Sequence, residues 1–210
     1  MTDADPVNIV VAGYDRLARR WDRWTDSIQP PLRERYLDWL DERLLPGSSV
    51  LELGSGTGRP VAERLASRHE YLGVDASPEM VAVATGNVPA GRFAVAEMRQ
   101  LDLPTSEFDV VVAFYSIIHV PRTDQSALFH EIHRWLRPGG YFVACLSSGD
   151  LPVGEEDDWL GAGRMFWSGY DADTNRQLLK NAGFDLIEAS VLSQMEGDEE
   201  VQFLWVLAQA

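Results

Sequence analysis

Val50-Leu51-Glu52-Leu53-Gly54-Ser55-Gly56-Thr57-Gly58 is a short, mostly apolar run that stops at three glycines spaced two apart. A run of this length bounded by turn residues reads as a buried strand, here from Ser49 to Leu53. Gly54, Gly56 and Gly58 allow the backbone to turn tightly and to approach a bulky ligand with no Cβ in the way. Val61 to Ala66 continues as a helix, whose first N–H groups lack intrahelical partners and face whatever the turn holds. By itself a glycine-rich turn is equally a compact strand-to-helix connection, so the reading depends on what surrounds it.

The same unit repeats downstream. Tyr71-Leu72-Gly73-Val74-Asp75 reads as a second strand, and Ser77-Pro78-Glu79 has the cap-then-proline chemistry of a helix start. Strands follow at about Arg92 to Ala96 and Phe108 to Phe114, the latter apolar enough to be covered on both faces of a parallel sheet. Leu128, Ile132, Trp135 and Leu136 share a helix face that stops at Arg137-Pro138-Gly139-Gly140, before a fifth strand at Tyr141 to Leu146. A helix from Thr174 to Asn181 closes at Gly183. Phe184 to Val191 and Val201 to Ala208 then read as an antiparallel pair joined across Glu196-Gly197-Asp198-Glu199. Two helices precede all of this, separated at Pro30-Pro31. The first carries an apolar stripe, Tyr14, Leu17, Trp21 and Trp24, opposite a basic one, Arg16, Arg19, Arg20 and Arg23, read as a solvated face. Alternating strands and helices imply a doubly wound α/β sheet with ligands at the carboxyl ends of the strands.

Composition bounds the function. The 210 residues fit one domain spanning 1–210, with a helical lid over about 6–45 and a flap over about 148–172. The net charge of −15 repels phosphate backbones, so no nucleic-acid partner is expected; a small neutral or cationic partner suits it better. The lone Cys145 can form neither an internal disulfide nor a zinc cage. No signal peptide or membrane span is read, so a cytoplasmic location and no membrane partner are expected. The acidic run Glu155-Glu156-Asp157-Asp158 reads as a solvated loop rather than a metal site.

Asp75 ends the second strand about 20 residues after the glycine turn, where a carboxylate accepts hydrogen bonds from ribose hydroxyls. Arg59 stands where a dinucleotide fingerprint needs its third small residue, which makes NAD the weaker choice. With these residues in place, the chain resembles the class I S-adenosylmethionine-dependent methyltransferases from about Tyr14 onward. Glu52 to Gly58 is similar to their first motif, and Asp75, followed by Ala76, matches the ribose-binding acid. Ala96-Glu97-Met98 resembles the adenine-reading segment, with Glu97 where most relatives carry Asp. Phe108 to Val120 and Leu136 to Gly140 fit the family's fourth-strand motif and pre-strand turn.

The resemblance implies the strand order 3-2-1-4-5-7-6 with the seventh strand antiparallel. It also implies S-adenosylmethionine as donor and S-adenosylhomocysteine as product. Glu52 would orient the donor ammonium, Glu97 the adenine amine and the Met98 N–H a ring nitrogen. Tyr14 to Asp22 looks like the family's lid helix, placing Tyr14 near the donor and Trp21 or Trp24 near the acceptor. No metal is implied. Phe114, Tyr115, Phe166, Trp167 and Tyr170 fall in or beside loops where an aromatic face favours a sulfonium.

A proton must leave a hydroxyl or ammonium acceptor, and His119, directly after the fourth strand, is the candidate base; its other reading is a hydrogen bond to the local loop. Met165 to Tyr170 is similar to relatives that carry His at the place of Gly169, so this loop offers no base. The expected reaction is methyl transfer to oxygen or nitrogen of a small metabolite. An RNA or protein methyltransferase, an NAD-dependent oxidoreductase and a donor-binding protein without turnover are the alternatives. The acceptor and the oligomeric state are not legible.

Overall fold

A computed structural model describes residues 5–28, 31–196 and 199–210, without the side chains of residues 22–28. The N-terminal helix α1 spans Pro6–Ile28, and α2 spans Pro31–Asp41. Pro30, the side chains of Arg23 and Trp24, and the tip at residues 197 and 198 lie outside the described residues.

The core alternates as expected: β1 (Ser49–Leu53), α3 (Val61–Leu65), β2 (Glu70–Asp75), α4 (Pro78–Asn87), β3 (Arg92–Val95), β4 (Phe108–Ala113), α5 (Arg122–Trp135) and β5 (Leu136–Ser147). Next come β6 (Leu151–Glu156), β7 (Met165–Gly169), α6 (Ala172–Asn181), β8 (Asp185–Glu196) and β9 (Glu199–Gln209). Ser77 caps α4 through its hydroxyl, which accepts from Met80 N at 3.1 Å. Asp171 caps α6 by accepting from Thr174 N at 2.9 Å, a cap the sequence reading passed over.

Seven strands form one sheet in the order β3-β2-β1-β4-β5-β9-β8. The first five are mutually parallel, and β9 runs antiparallel to both β5 and β8. This is the expected order, β8 and β9 being the sixth and seventh sheet strands. Two features are new. The flap read as a long loop contains a separate antiparallel hairpin, β6 with β7. Arg137-Pro138-Gly139-Gly140, read as a helix stop, is an irregularity inside β5, between the pairs Leu136 with Phe108 and Tyr141 with Val110.

Both faces of the sheet are covered. Leu51, Leu53, Val111 and Ala144 point into one core with Trp135 of α5 and Leu179 of α6, while Val50, Val110, Val112 and Cys145 point into another with Leu37 of α2 and Leu65 of α3. Period-two alternation along each strand feeds the two layers, which is why these strands read as nearly continuous apolar runs. Among the described residues no helix is long and apolar enough to cross a membrane.

Trp205 of β9 anchors the second layer. It is fully buried, stacked on Tyr36 with ring centroids 5.0 Å apart, and 5.6 Å from the Phe114 ring. Trp205→Ala should destabilise the fold by about 3–5 kcal/mol, read as a lowered urea midpoint at unchanged m.

Candidate active site

The turn after β1 is hung on the end of β2. Gly54 N and Ser55 N both donate to the Val74 carbonyl, at 2.8 and 3.0 Å, and Gly56 N donates to Asp75 Oδ2 at 2.9 Å. Asp75 Oδ1 accepts from Ser77 N at 2.9 Å. The three glycines have φ of 75°, 52° and 80°, in the region that other residues rarely adopt. A Cβ on Gly54 would overlap Ser116, whereas one on Gly56 would meet nothing within 4 Å. On Gly58 it would lie 3.2 Å from Val88 and 3.3 Å from Phe93, so Gly58 supplies the close helix–strand packing for which a dinucleotide site uses a later residue.

A cavity of about 780 Å³ opens above this turn. Of the predicted donor residues, Tyr14, Glu52, Gly54, Gly56, Asp75, Ala76, Glu97, Met98 and Phe114 all line it. Gly58 lies behind the turn and does not line it. His119 lines it too, whereas His69, His130 and His133 do not. Tyr115, next to the expected Phe114, has φ of 56°, a strained conformation for an aromatic residue. Its N–H donates to Cys145 Sγ at 3.0 Å, and its hydroxyl accepts from Gln194 at 2.5 Å.

Several polar atoms around the cavity are buried without a hydrogen-bond partner: Arg33 Nε, Ser55 Oγ, Thr57 Oγ1, Glu97 Oε2 and Ser116 Oγ. Each such atom costs about 1–3 kcal/mol, so a ligand rich in hydroxyls, amines and carboxylate is the complement of this surface. Glu97 uses Oε1 to accept from Arg99 N and Nε, at 3.0 and 2.9 Å, which leaves Oε2 for an adenine amine. S-adenosylmethionine, with its ribose hydroxyls, adenine amine and amino-acid end, carries groups that fit this set. The sequence reading missed Arg33; its only signal there is a position one turn into α2, on the edge of an apolar face.

Burial pushes the Glu52 carboxyl up to about 8, against the opposing pull of the Tyr71 hydroxyl, which donates to it, and of the Arg33 charge. Burial likewise raises Asp75 above the usual carboxylate range, in spite of its hydrogen bonds from Ser77 and Gly56. His119 is buried, and desolvation pushes it down to about 4, so it is the neutral imidazole at pH 7. Its Nδ1 lies 2.7 Å from the Phe166 carbonyl, which fixes the proton on that nitrogen, and its Nε2 accepts from the Tyr14 hydroxyl at 2.9 Å. Gly169 is buried at the end of β7, where a Cβ would overlap Ser147; no histidine fits there.

Residues 50–140 match the family described as "Methyltransferase domain". The family match, the relatives and the fold support a class I S-adenosylmethionine-dependent methyltransferase. Among the relatives, a wheat (Triticum aestivum) phosphoethanolamine N-methyltransferase is 33% identical over 183 residues, 83% of this chain and 33% of the relative. An arsenite methyltransferase of Aquipseudomonas alcaligenes is 35% identical over 170 residues, 69% of this chain and 48% of the relative. The chain thus spans about a third of the phosphoethanolamine enzymes it matches.

A Methanosarcina mazei methyltransferase structure superposes with TM-score 0.71 at 18% identity, covering 81% of this chain and 95% of that one. The Burkholderia thailandensis 1,6-didemethyltoxoflavin-N1-methyltransferase, solved with its 1,6-didemethyltoxoflavin and S-adenosylhomocysteine, superposes with TM-score 0.63 at 23% identity, covering 82% and 75%.

A carboxyl whose pKa rises on folding stabilises the fold below its ordinary 4.5 and loses that contribution as pH climbs through the folded value, here about 8. Ligand-free protein should therefore lose stability between these pH values relative to Glu52→Gln, measured as urea midpoints across the range. Identical profiles would show that Glu52 ionises normally.

Proposed function

We propose that this chain transfers a methyl group from S-adenosylmethionine to oxygen or nitrogen of a small metabolite. The observation that carries the reading is the Asp75 carboxylate, held at the cavity floor by Gly56 N and Ser77 N beside a glycine turn and facing unpartnered polar groups. The donor, when bound, supplies an electrophilic methyl on a sulfonium. The chain aligns the acceptor with it and keeps water out. Arg33 and Glu52 receive the carboxylate and ammonium of the donor's amino-acid end, Glu97 and Met98 the adenine, and Phe114 offers a ring beside the turn.

Tyr14 and His119 act as a latch. The hydroxyl of the lid residue reaches across the cavity mouth to an imidazole whose other nitrogen is held by Phe166, so His119 orients Tyr14. With both nitrogens engaged and its pKa lowered, His119 is better suited to positioning than to removing a proton at neutral pH. Relatives named for phosphoethanolamine, arsenite and 1,6-didemethyltoxoflavin support a small-molecule acceptor. The proposal extends to residues 1–210 working as one unit, with lid about 6–45 and flap about 148–172, in the cytoplasm, without a nucleic-acid or membrane partner.

Calorimetric titration should show S-adenosylhomocysteine binding and no comparable affinity for NAD; the reverse result sinks the reading. Asp75→Ala should weaken donor binding by about 1–3 kcal/mol. Tyr14→Phe should raise the donor Kd about 2- to 10-fold. His119→Ala should lower turnover more than donor affinity, and full activity in that variant would return His119 to a purely structural role.

A further inference from the structure

Beyond the donor half, the cavity is lined by a cluster of aromatic rings from α1 and from the distant β6–β7 hairpin. Tyr14 and Trp21 come from α1, Trp159 from the turn after β6, and Trp167 from β7; all four line the cavity. Tyr14 lies 5.4 Å from Trp21 and 5.5 Å from Trp159, and Trp159 lies 5.7 Å from Trp167, each pair close to perpendicular. Perpendicular rings present negative faces in different directions, the arrangement that surrounds a cation.

Charge points the same way. Along β6 alternate side chains take opposite faces: Glu155 and Asp157 turn to Arg164, whereas Glu156 between them lines the cavity. Among the described residues Glu156 has no hydrogen bond or ion pair. Arg16 and Arg20 donate to the flap carbonyls of Ala162 and Leu160, at 2.9 and 3.2 Å, and neither lines the cavity.

We infer that the aromatic wall and Glu156 form the acceptor subsite, and that the acceptor is a cationic amine, methylated on nitrogen. This rests on the donor reading above. The chemistry is consistent: an amine sheds its proton to water before attack, its lone pair forms the N–C bond, and the C–S bonding pair stays on sulfur. The positive charge passes from sulfur to nitrogen, so the wall faces a cation before and after transfer.

The test uses protein saturated with S-adenosylhomocysteine and titrated by calorimetry with choline, a quaternary ammonium probe, and with 3,3-dimethylbutan-1-ol, its neutral isostere. Choline should bind about tenfold tighter or more, and Trp159→Leu and Glu156→Gln should each erase most of that margin. Equal affinities, no choline binding, or a margin that survives both substitutions would overturn the amine assignment. Failure to bind S-adenosylhomocysteine at the outset would instead remove the donor reading beneath it.

Discussion

Three backbone N–H groups hang the glycine turn on the second strand: Gly54 and Ser55 on the Val74 carbonyl, Gly56 on the Asp75 carboxylate. The rest of the site is referenced to that joint. It requires the parallel register that sets Leu53 beside Val74, and it requires that β2 carry no side chain where the turn crosses it. Gly73 meets the second demand, since a Cβ there would lie 2.8 Å from that of Ser55 and 2.9 Å from the Tyr71 hydroxyl. Once the turn lies flat on β2, Asp75 can reach the cavity floor only at that point.

The electrostatics follow from burying acids whose desolvation outweighs the nearby Arg33 charge and the hydrogen bonds they accept. Glu52 and Asp75 sit in a low-dielectric pocket that raises both pKa values, and His119 is kept neutral by the same burial. A ligand with a positive charge and several donors is the complement of these groups. Stability has been traded for pre-formed recognition, a common arrangement where binding or chemistry occurs.

The lid is held by polar contacts at several points rather than by a broad apolar face alone. At its start, Asp5 pairs with Arg99, which also holds Glu97 and Asp124. Further along, Asp15 accepts from the Ser77 hydroxyl at 2.5 Å, and Tyr14 joins His119. Arg16 and Arg20, read from sequence as a solvated stripe, tie the lid to the flap through carbonyl oxygens. Individually modest and open to competition from water, such bonds suit a cover that must open for exchange.

The glycine turn and the acid that ends the second strand were legible because they rest on local rules, and the strand order followed from the family resemblance that they carry. A strand buried on both faces must be apolar, a turn with positive φ selects glycine, and a cap selects Ser or Asp, so Val50 to Gly58, Asp75 and Ser77 announce themselves. Arg33, Glu156 and the meeting of Trp21, Trp159 and Trp167 did not, since each is an ordinary residue of its own segment. They come together only where the N-terminal helices meet the distant β6–β7 hairpin around the cavity. The state of His119 belongs to the same class: the sequence placed it at the end of β4, but only burial and the approach of Tyr14 and Phe166 decided that it stays neutral with both nitrogens engaged. Periodicity and turn chemistry act over a few residues and are written in the sequence, whereas desolvation and partner choice depend on everything packed around a group.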